Sequence, residues 1–95
     1  MSVVWTRPRP ADAVHVTWDE SDDRDRQMNA AALMVFQMLG PDFRVPYSPE
    51  HGGHLLVISP SGRQQQVFNT DWVVLIDGAV LVLGPAEFDV RFARL

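Results

Sequence analysis

The chain has 95 residues, of which 46% are apolar and 21% are charged, and this length and composition are typical of one globular domain. Eight Arg and no Lys stand against twelve acidic residues, giving a net charge of −4, so no nucleic-acid partner is expected, because the basic stripe of such a binder is missing. The chain has no Cys, which excludes disulfides, thiol catalysis and Cys-based zinc sites.

Apolar runs in the chain are short. The longest, Ala30–Phe36, falls far below the roughly 20 residues that cross a bilayer. The N-terminus shows no basic start followed by an apolar core, which is the pattern of a secretory signal. We therefore expect no membrane association and a cytoplasmic location.

The N-terminal end is predicted in two parts. Residues 1–12 are expected to be an extended arm, because the alternating prolines of Arg7-Pro8-Arg9-Pro10 lack backbone donors and hold the chain extended. Residues 13–95 are expected to be a single domain, whose first strand is Ala13–Trp18. The apolar residues that share one face of this strand are Val14, Val16 and Trp18.

One long helix is predicted from Ser21 to Leu39. Ser21 is a suitable N-cap, acidic residues of the first turns match the positive end of the helix dipole, and Gly40-Pro41 ends the helix. A core-facing stripe at helical spacing contains Met28, Ala32, Val35, Phe36 and Leu39. A second apolar stripe contains Ala30, Leu33, Met34 and Met38. A single sheet face cannot easily cover both stripes.

The rest of the chain has the pattern of strands separated by turns. The predicted extended segments are Phe43–Tyr47, His54–Ser59, Gln64–Asn69, Trp72–Ile76 and Ala79–Leu83. Asp77-Gly78 is a strong hairpin signal, and Gly84-Pro85 opens a short final helix. The predicted fold class is α+β: one N-terminal strand and one long helix packed on an antiparallel β-meander of about four to five strands, with a short C-terminal helical turn.

Three motifs stand out in the C-terminal third: Thr70-Asp71-Trp72-Val73-Val74, Asp77-Gly78 and Gly84-Pro85-Ala86-Glu87-Phe88-Asp89-Val90-Arg91-Phe92. With them the chain resembles a group of small phage and prophage proteins, which carry a Gly-Asp-Trp-hydrophobic strand, a Gly-containing hairpin and a Pro-x-x-Phe motif. Asn69-Thr70 stands here where those proteins usually carry Pro-Gly. The resemblance implies a phage accessory protein in the host bacterial cytoplasm, and it supplies no catalytic residues.

His51 and His54 are the candidate metal ligands of the sequence. Zinc sites need three or four ligands, and a short His-x-x-His without Cys is a weak signal. A solvated loop that leads into a strand is the favoured interpretation, and no cofactor is expected. A small metal- or nucleotide-binding protein, using these histidines and the acidic residues before the helix, is the alternative function.

The second helical stripe predicts an interface with another protein. An uncovered apolar stripe is larger than the patch that a monomer normally exposes, and Met side chains adapt to varied partners; the alternative is a stripe covered by the arm and by Phe43–Tyr47. No catalytic motif is present, so we expect a non-enzymatic protein that forms a homodimer, with a host protein as a further partner. A minor virion or assembly component is a second alternative. The predicted partner-binding residues are Ala30, Leu33, Met34, Met38 and Trp5.

Overall fold

The computed structural model describes residues 2–5, 10–50 and 53–92. These ranges contain seven strands and two helices. Their bounds are β1 Ser2–Trp5, β2 Pro10–His15, α1 Arg24–Leu39, β3 Tyr47–Ser48, β4 His54–Ile58, β5 Gln64–Val67, β6 Trp72–Ile76, β7 Ala79–Leu83 and α2 Pro85–Arg91.

The strands form two antiparallel sheets. The first has the strand order β1-β2-β6-β7 and the second β3-β4-β5. Helix α1 packs against both sheets, and α2 covers the opposite face of the first sheet. The α+β class is therefore confirmed, with the helices on two different sides of one sheet.

The hairpin β6–β7 has the predicted bounds. Asp77 and Gly78 have φ values of 53° and 75°, and two consecutive positive φ angles are characteristic of the type I′ turn that matches the twist of two strands. Ile76 and Ala79 form the pair that closes the turn. After β7, Gly84 caps α2 and Pro85 occupies its first turn, as the Gly-Pro pattern predicts.

The strands do not form one continuous meander, which is the main difference from the predicted arrangement. Between β5 and β6 the chain turns at Phe68, whose N–H donates to Asp71 Oδ2 at 2.9 Å. Thr70 then adopts a φ of 78°, and the N–H of Val16 donates to the carbonyl of Asp71 at 2.8 Å. These contacts direct β6 onto β2 instead of back onto β5, so the sheet divides at this corner.

The first sheet begins inside the segment that was expected to be an arm. Ser2–Trp5 pairs with β2 in antiparallel register, from Ser2 opposite Ala13 to Trp5 opposite Pro10. Strand β2 ends at His15, earlier than the predicted Trp18. The predicted buried face is confirmed nevertheless, since Val14, Val16 and Trp18 are all buried.

Helix α1 starts at Arg24, so the prediction of Ser21 as its N-cap is wrong. The Ser21 hydroxyl accepts the N–H of Asp23 at 3.2 Å, a local turn that competes with capping. The carbonyl of Ser21 accepts the N–H of Arg24 at 3.0 Å. The predicted end is confirmed, because Gly40 is the C-cap with a φ of 102°, and its N–H donates to the carbonyl of Phe36.

Two apolar clusters lie on the two faces of the first sheet. The larger cluster joins α1 to both sheets, and its fully buried members include Met28, Val35 and Leu55. The smaller joins α2 to β6 and β7 through Trp72 and Phe88. Strand β6 contributes alternate side chains to both clusters, which explains its almost continuous apolar sequence.

Candidate interaction surface

The outer face of α1, which we define as Ala30, Leu33, Met34, Phe36 and Gln37, is open to solvent. Leu33 is 52% exposed, Met34 54% and Phe36 37%. These positions follow one side of the helix at a spacing of three or four residues, so their side chains form a continuous strip. This strip contains three of the five residues predicted to bind a partner.

The structure corrects the predicted stripes at two positions. Phe36 was expected to face the core and is exposed, whereas Met38 was expected on the uncovered stripe and packs against the larger cluster. At 100° per residue, Phe36 lies about 90° and Met38 about 70° from the centre of the buried face, so both are at its margins. The sequence pattern alone cannot decide which margin the neighbouring sheet covers.

A groove of about 730 Å³ lies between α1 and the first sheet. Met34, Gln37 and Met38 form its helical wall. Asp12, Ala13, Val14, His15 and Trp72 form the strand side. Met34 therefore belongs both to the outer face and to the groove, and the open apolar surface of α1 continues toward β2.

An aromatic stack extends from the end of this groove into the smaller cluster. The exposed His15 ring lies parallel to Trp72, with centroids 4.3 Å apart. Trp72 in turn stacks on Phe88 at 3.9 Å, and Phe88 contacts Phe92 at 5.2 Å. A spacing of four residues explains the Phe88–Phe92 contact, but the sequence gives no signal that His15 would join, because β2 and β6 are far apart along the chain.

A side-chain clasp holds the corner between the sheets. Asn69 Oδ1 accepts the Trp18 N–H at 3.0 Å, and Asn69 Nδ2 donates to the Trp18 carbonyl at 2.8 Å. His15 Nε2 lies 3.1 Å from the Thr70 carbonyl. The indole Nε1 of Trp18 is buried without a hydrogen-bond partner among the described residues. The corner is thus fixed by side-chain bonds to the backbone.

The start of α1 is polar and charged. Arg24 pairs with Glu20 at 3.0 Å and also donates to the Pro49 carbonyl. Arg26 contacts Asp23 at 3.8 Å, and its side chain is 83% exposed. Hydrogen bonds from Ser21 and then Gln27 lower the pKa of Asp19, against a smaller opposing effect of burial. The last turn of α1 contains no basic residue, so charge is concentrated at one end of the helix.

Of the two candidate metal ligands, only His54 lies among the described residues. His54 is half-buried in β4, with its ring 5.7 Å from Phe68, and His51 lies outside the described residues. In the described ranges, no cluster of three or more His, Asp or Glu side chains is arranged to hold a metal ion. The backbone of Trp5 lies in β1, but its side chain is outside the described part of the structure.

No family model, curated protein or solved structure matches this chain. Of the helices that the structure describes, neither α1 nor α2 has the length and apolar content that a bilayer crossing requires. What the chain does is therefore inferred from the surfaces that it exposes.

Proposed function

We propose that this protein acts by protein–protein contact and without catalysis, as a homodimer joined through the outer face of α1. The resemblance of its C-terminal third to small phage and prophage proteins supports a role as a phage accessory protein. On this proposal a host protein is the second partner, bound by the dimer in the bacterial cytoplasm.

The observation that carries the proposal is the exposure of three large apolar side chains on one helix: Leu33, Met34 and Phe36. Isolated exposed apolar residues are ordinary on protein surfaces. A contiguous apolar strip that continues into a partly apolar groove is typical of an interaction site. Gln37 is the only polar side chain within this strip, so contact buries a single polar group, whose amide needs a hydrogen-bond partner in the interface.

Charge favours a second copy of the chain as the occupant, in an antiparallel arrangement. A parallel pair would bring the acidic residues that precede α1 close to their own copies, which is unfavourable. With Leu33 of one copy against Met34 of the other, Arg26 lies opposite the Gly40–Asp42 segment of the second copy. The guanidinium then meets the negative end of a helix whose last turn has no cation of its own.

Sedimentation equilibrium of the purified chain tests the dimer. We expect the wild type to approach twice the monomer mass at high micromolar concentration, and Leu33→Asp or Met34→Asp to remain monomeric. Both side chains are more than half exposed, so these changes leave the fold intact. The matched control is Val90→Asp, which replaces an apolar residue that is 83% exposed on α2 and should leave the dimer unchanged.

A charge exchange tests the antiparallel orientation. Arg26→Asp should weaken the dimer, and Arg26→Asp combined with Asp42→Arg should restore it, because the two positions face each other across the twofold axis. A wild type that stays monomeric at all concentrations contradicts the proposal, as does a dimer that Leu33→Asp leaves intact.

A further inference from the structure

The outer edge of β7 is a second exposed surface, on a different side of the molecule from α1. In the described residues, β7 is the last strand of the first sheet and pairs only with β6. In this hairpin Ile76 and Ala79 form the hydrogen-bonded pair that closes the turn. Hydrogen-bonded and non-hydrogen-bonded pairs alternate from there along an antiparallel ladder. Val80 and Val82 therefore lie in non-hydrogen-bonded pairs, and their N–H and C=O groups point away from β6. Gln65 Nε2, which donates to the Val80 carbonyl from outside the sheet at 3.4 Å, agrees with this direction.

This edge lacks the features that normally prevent strand addition. Natural sheets protect their edges with Lys, Pro, charged residues or very short strands. Strand β3, at an edge of the second sheet, has two residues and lies between Pro46 and Pro49. By contrast, β7 has five residues, Ala79–Leu83, without a charge or a proline. Apart from the Val80 carbonyl, which accepts the Gln65 amide, the β7 edge is therefore long enough and free enough to accept another strand.

A groove of about 560 Å³ runs along this edge. Ser59, Ser61, Arg63 and Gln65 form the wall opposite β7, and Glu87 and Arg91 lie at its α2 end. Arg91 is partly neutralised by Glu87 at 3.7 Å. Arg63 is exposed and forms no ion pair with the residues that the structure describes. In a chain with a net charge of −4, this groove carries an excess of positive charge.

We propose that the groove binds an extended acidic peptide segment of a partner protein, which adds to the first sheet as a strand beside β7. The peptide backbone pairs with the N–H of Val80 and with both backbone groups of Val82, and a carboxylate side chain of the peptide faces Arg63. Backbone pairing supplies affinity and the alternate side chains supply selectivity, as in other cases of strand addition. This site is separate from the outer face of α1.

A pair of short peptides tests the site. The probe is an N-acetylated peptide of alternating Val and Glu, and its control alternates Val and Lys. In amide NMR spectra of the ¹⁵N-labelled protein, the Glu peptide should shift the signals of Val80 and Val82 and slow their hydrogen exchange. The Lys peptide should bind about fivefold more weakly, and Arg63→Glu should reverse this preference, because one exposed charge pair contributes an effect of about that size.

Two variants at one position separate backbone pairing from side-chain packing. Val82→Pro removes an N–H that β6 does not use, so the hairpin should still form while peptide binding is lost. Val82→Ala shortens the side chain further than Val82→Pro does but keeps the N–H, so it should still bind. The monomeric variant Leu33→Asp should also bind, so failure of the dimer and failure of this site are distinguishable.

Three results overturn the proposal. The first is that neither peptide changes the Val80 and Val82 signals at millimolar concentration. The second is that Val82→Pro and Val82→Ala bind the Glu peptide equally well. The third is that Val82→Pro, with no peptide present, abolishes self-association of the chain, because the occupant of the edge is then a second copy.

Discussion

The two helices of this protein use their apolar residues in opposite ways. In α2, Phe88 is fully buried and stacks on Trp72 with ring centroids 3.9 Å apart. In α1, the core-facing residues are equally well buried, but Leu33 and Met34 on the other side are more than half exposed. The described part of the chain thus covers Phe88 of the short helix, whereas it leaves a further apolar face of the long helix uncovered.

This difference shows why apolar content alone does not identify a core. The helix α2 has seven residues and packs through one side. Phe88 lies on this side, and Phe92, the C-cap, packs in the same cluster. A helix of 16 residues that is apolar on two sides can bury only the side that meets the sheets. The stability of the fold should therefore depend on Phe88 and residues like it, and association should depend on Leu33.

The largest expected effect is the loss of stability in Phe88→Ala. We expect this change to lower the free energy of unfolding by about 3–5 kcal/mol, because it removes the centre of the aromatic stack and leaves a cavity. Urea denaturation followed by Trp fluorescence measures the loss. Since this is a large part of the stability of a small domain, Phe88→Leu, with an expected cost of about 1–2 kcal/mol, provides a variant that stays folded.

The control for this prediction is on the exposed side of both helices. Val90→Ala and Leu33→Ala should each change the stability of the monomer by less than about 0.5 kcal/mol. If Leu33→Ala destabilises a dilute, monomeric sample as strongly as Phe88→Leu does, then the outer face of α1 is covered by its own chain and the contrast between the helices disappears.

The second prediction concerns Asn69, at the corner between the two sheets. Asn69→Ala should cost about 1–3 kcal/mol, because it leaves the N–H and C=O of Trp18 without their side-chain partner. Asn69→Asp keeps an acceptor for the N–H but loses the donor to the carbonyl. Its stability should therefore rise as the pH falls through the carboxyl pKa, since the protonated acid can donate again. Urea midpoints at pH 7 and pH 4 compare the two variants. If the stability of the Asp variant does not recover at pH 4, then the Asn69 side chain does not hold the Trp18 backbone in the way proposed.

The corner also shows how far the sequence could be interpreted. The hairpin β6–β7, α2 and the end of α1 follow from local signals, namely Asp77-Gly78, Gly84-Pro85 and Gly40. The division into two sheets depends on bonds between residues far apart in the chain, such as Asn69 with Trp18. Periodicity within one segment contains no information about such partners.

The sequence also predicts part of the candidate surface, again from a local pattern. The helical spacing of Leu33 and Met34 placed them on one side of α1, where the structure also has them. Whether Phe36 or Met38 would be covered depends on the tilt of α1 against the sheets, which no local pattern specifies. The β7 edge could not be anticipated, because a strand becomes an edge only through the order of all the others.

The third prediction is a gain of stability at the same corner. Thr70 is an exposed β-branched residue with a φ of 78°, a conformation that costs such residues about 1–2 kcal/mol. Thr70→Gly should stabilise the fold by about 0.5–1 kcal/mol, after allowing for the greater chain entropy of unfolded Gly. The control is Thr17→Gly, at a position without a positive φ, which should destabilise the fold. If both changes lower the urea midpoint, then Thr70 is not strained.

The smallest expected effect is at the polar start of α1 and depends on pH. Hydrogen bonds from Ser21 and Gln27 lower the pKa of Asp19 from its ordinary value of 3.8. A carboxyl whose folded pKa is depressed contributes stability above its unfolded pKa, and this contribution disappears as the pH falls through the folded pKa. Gln27→Ala removes the 2.8 Å bond to Asp19 Oδ1, so the pKa of Asp19 should rise toward its ordinary value. The loss of stability below pH 4 should then become smaller.

NMR titration of the Asp19 carboxyl measures the pKa directly, with Gln37→Ala on the outer face of α1 as the matched control. An Asp19 pKa that is the same in the wild type and in both variants would show that the helix start is not held by this bond, and that α1 is stabilised by its buried face alone.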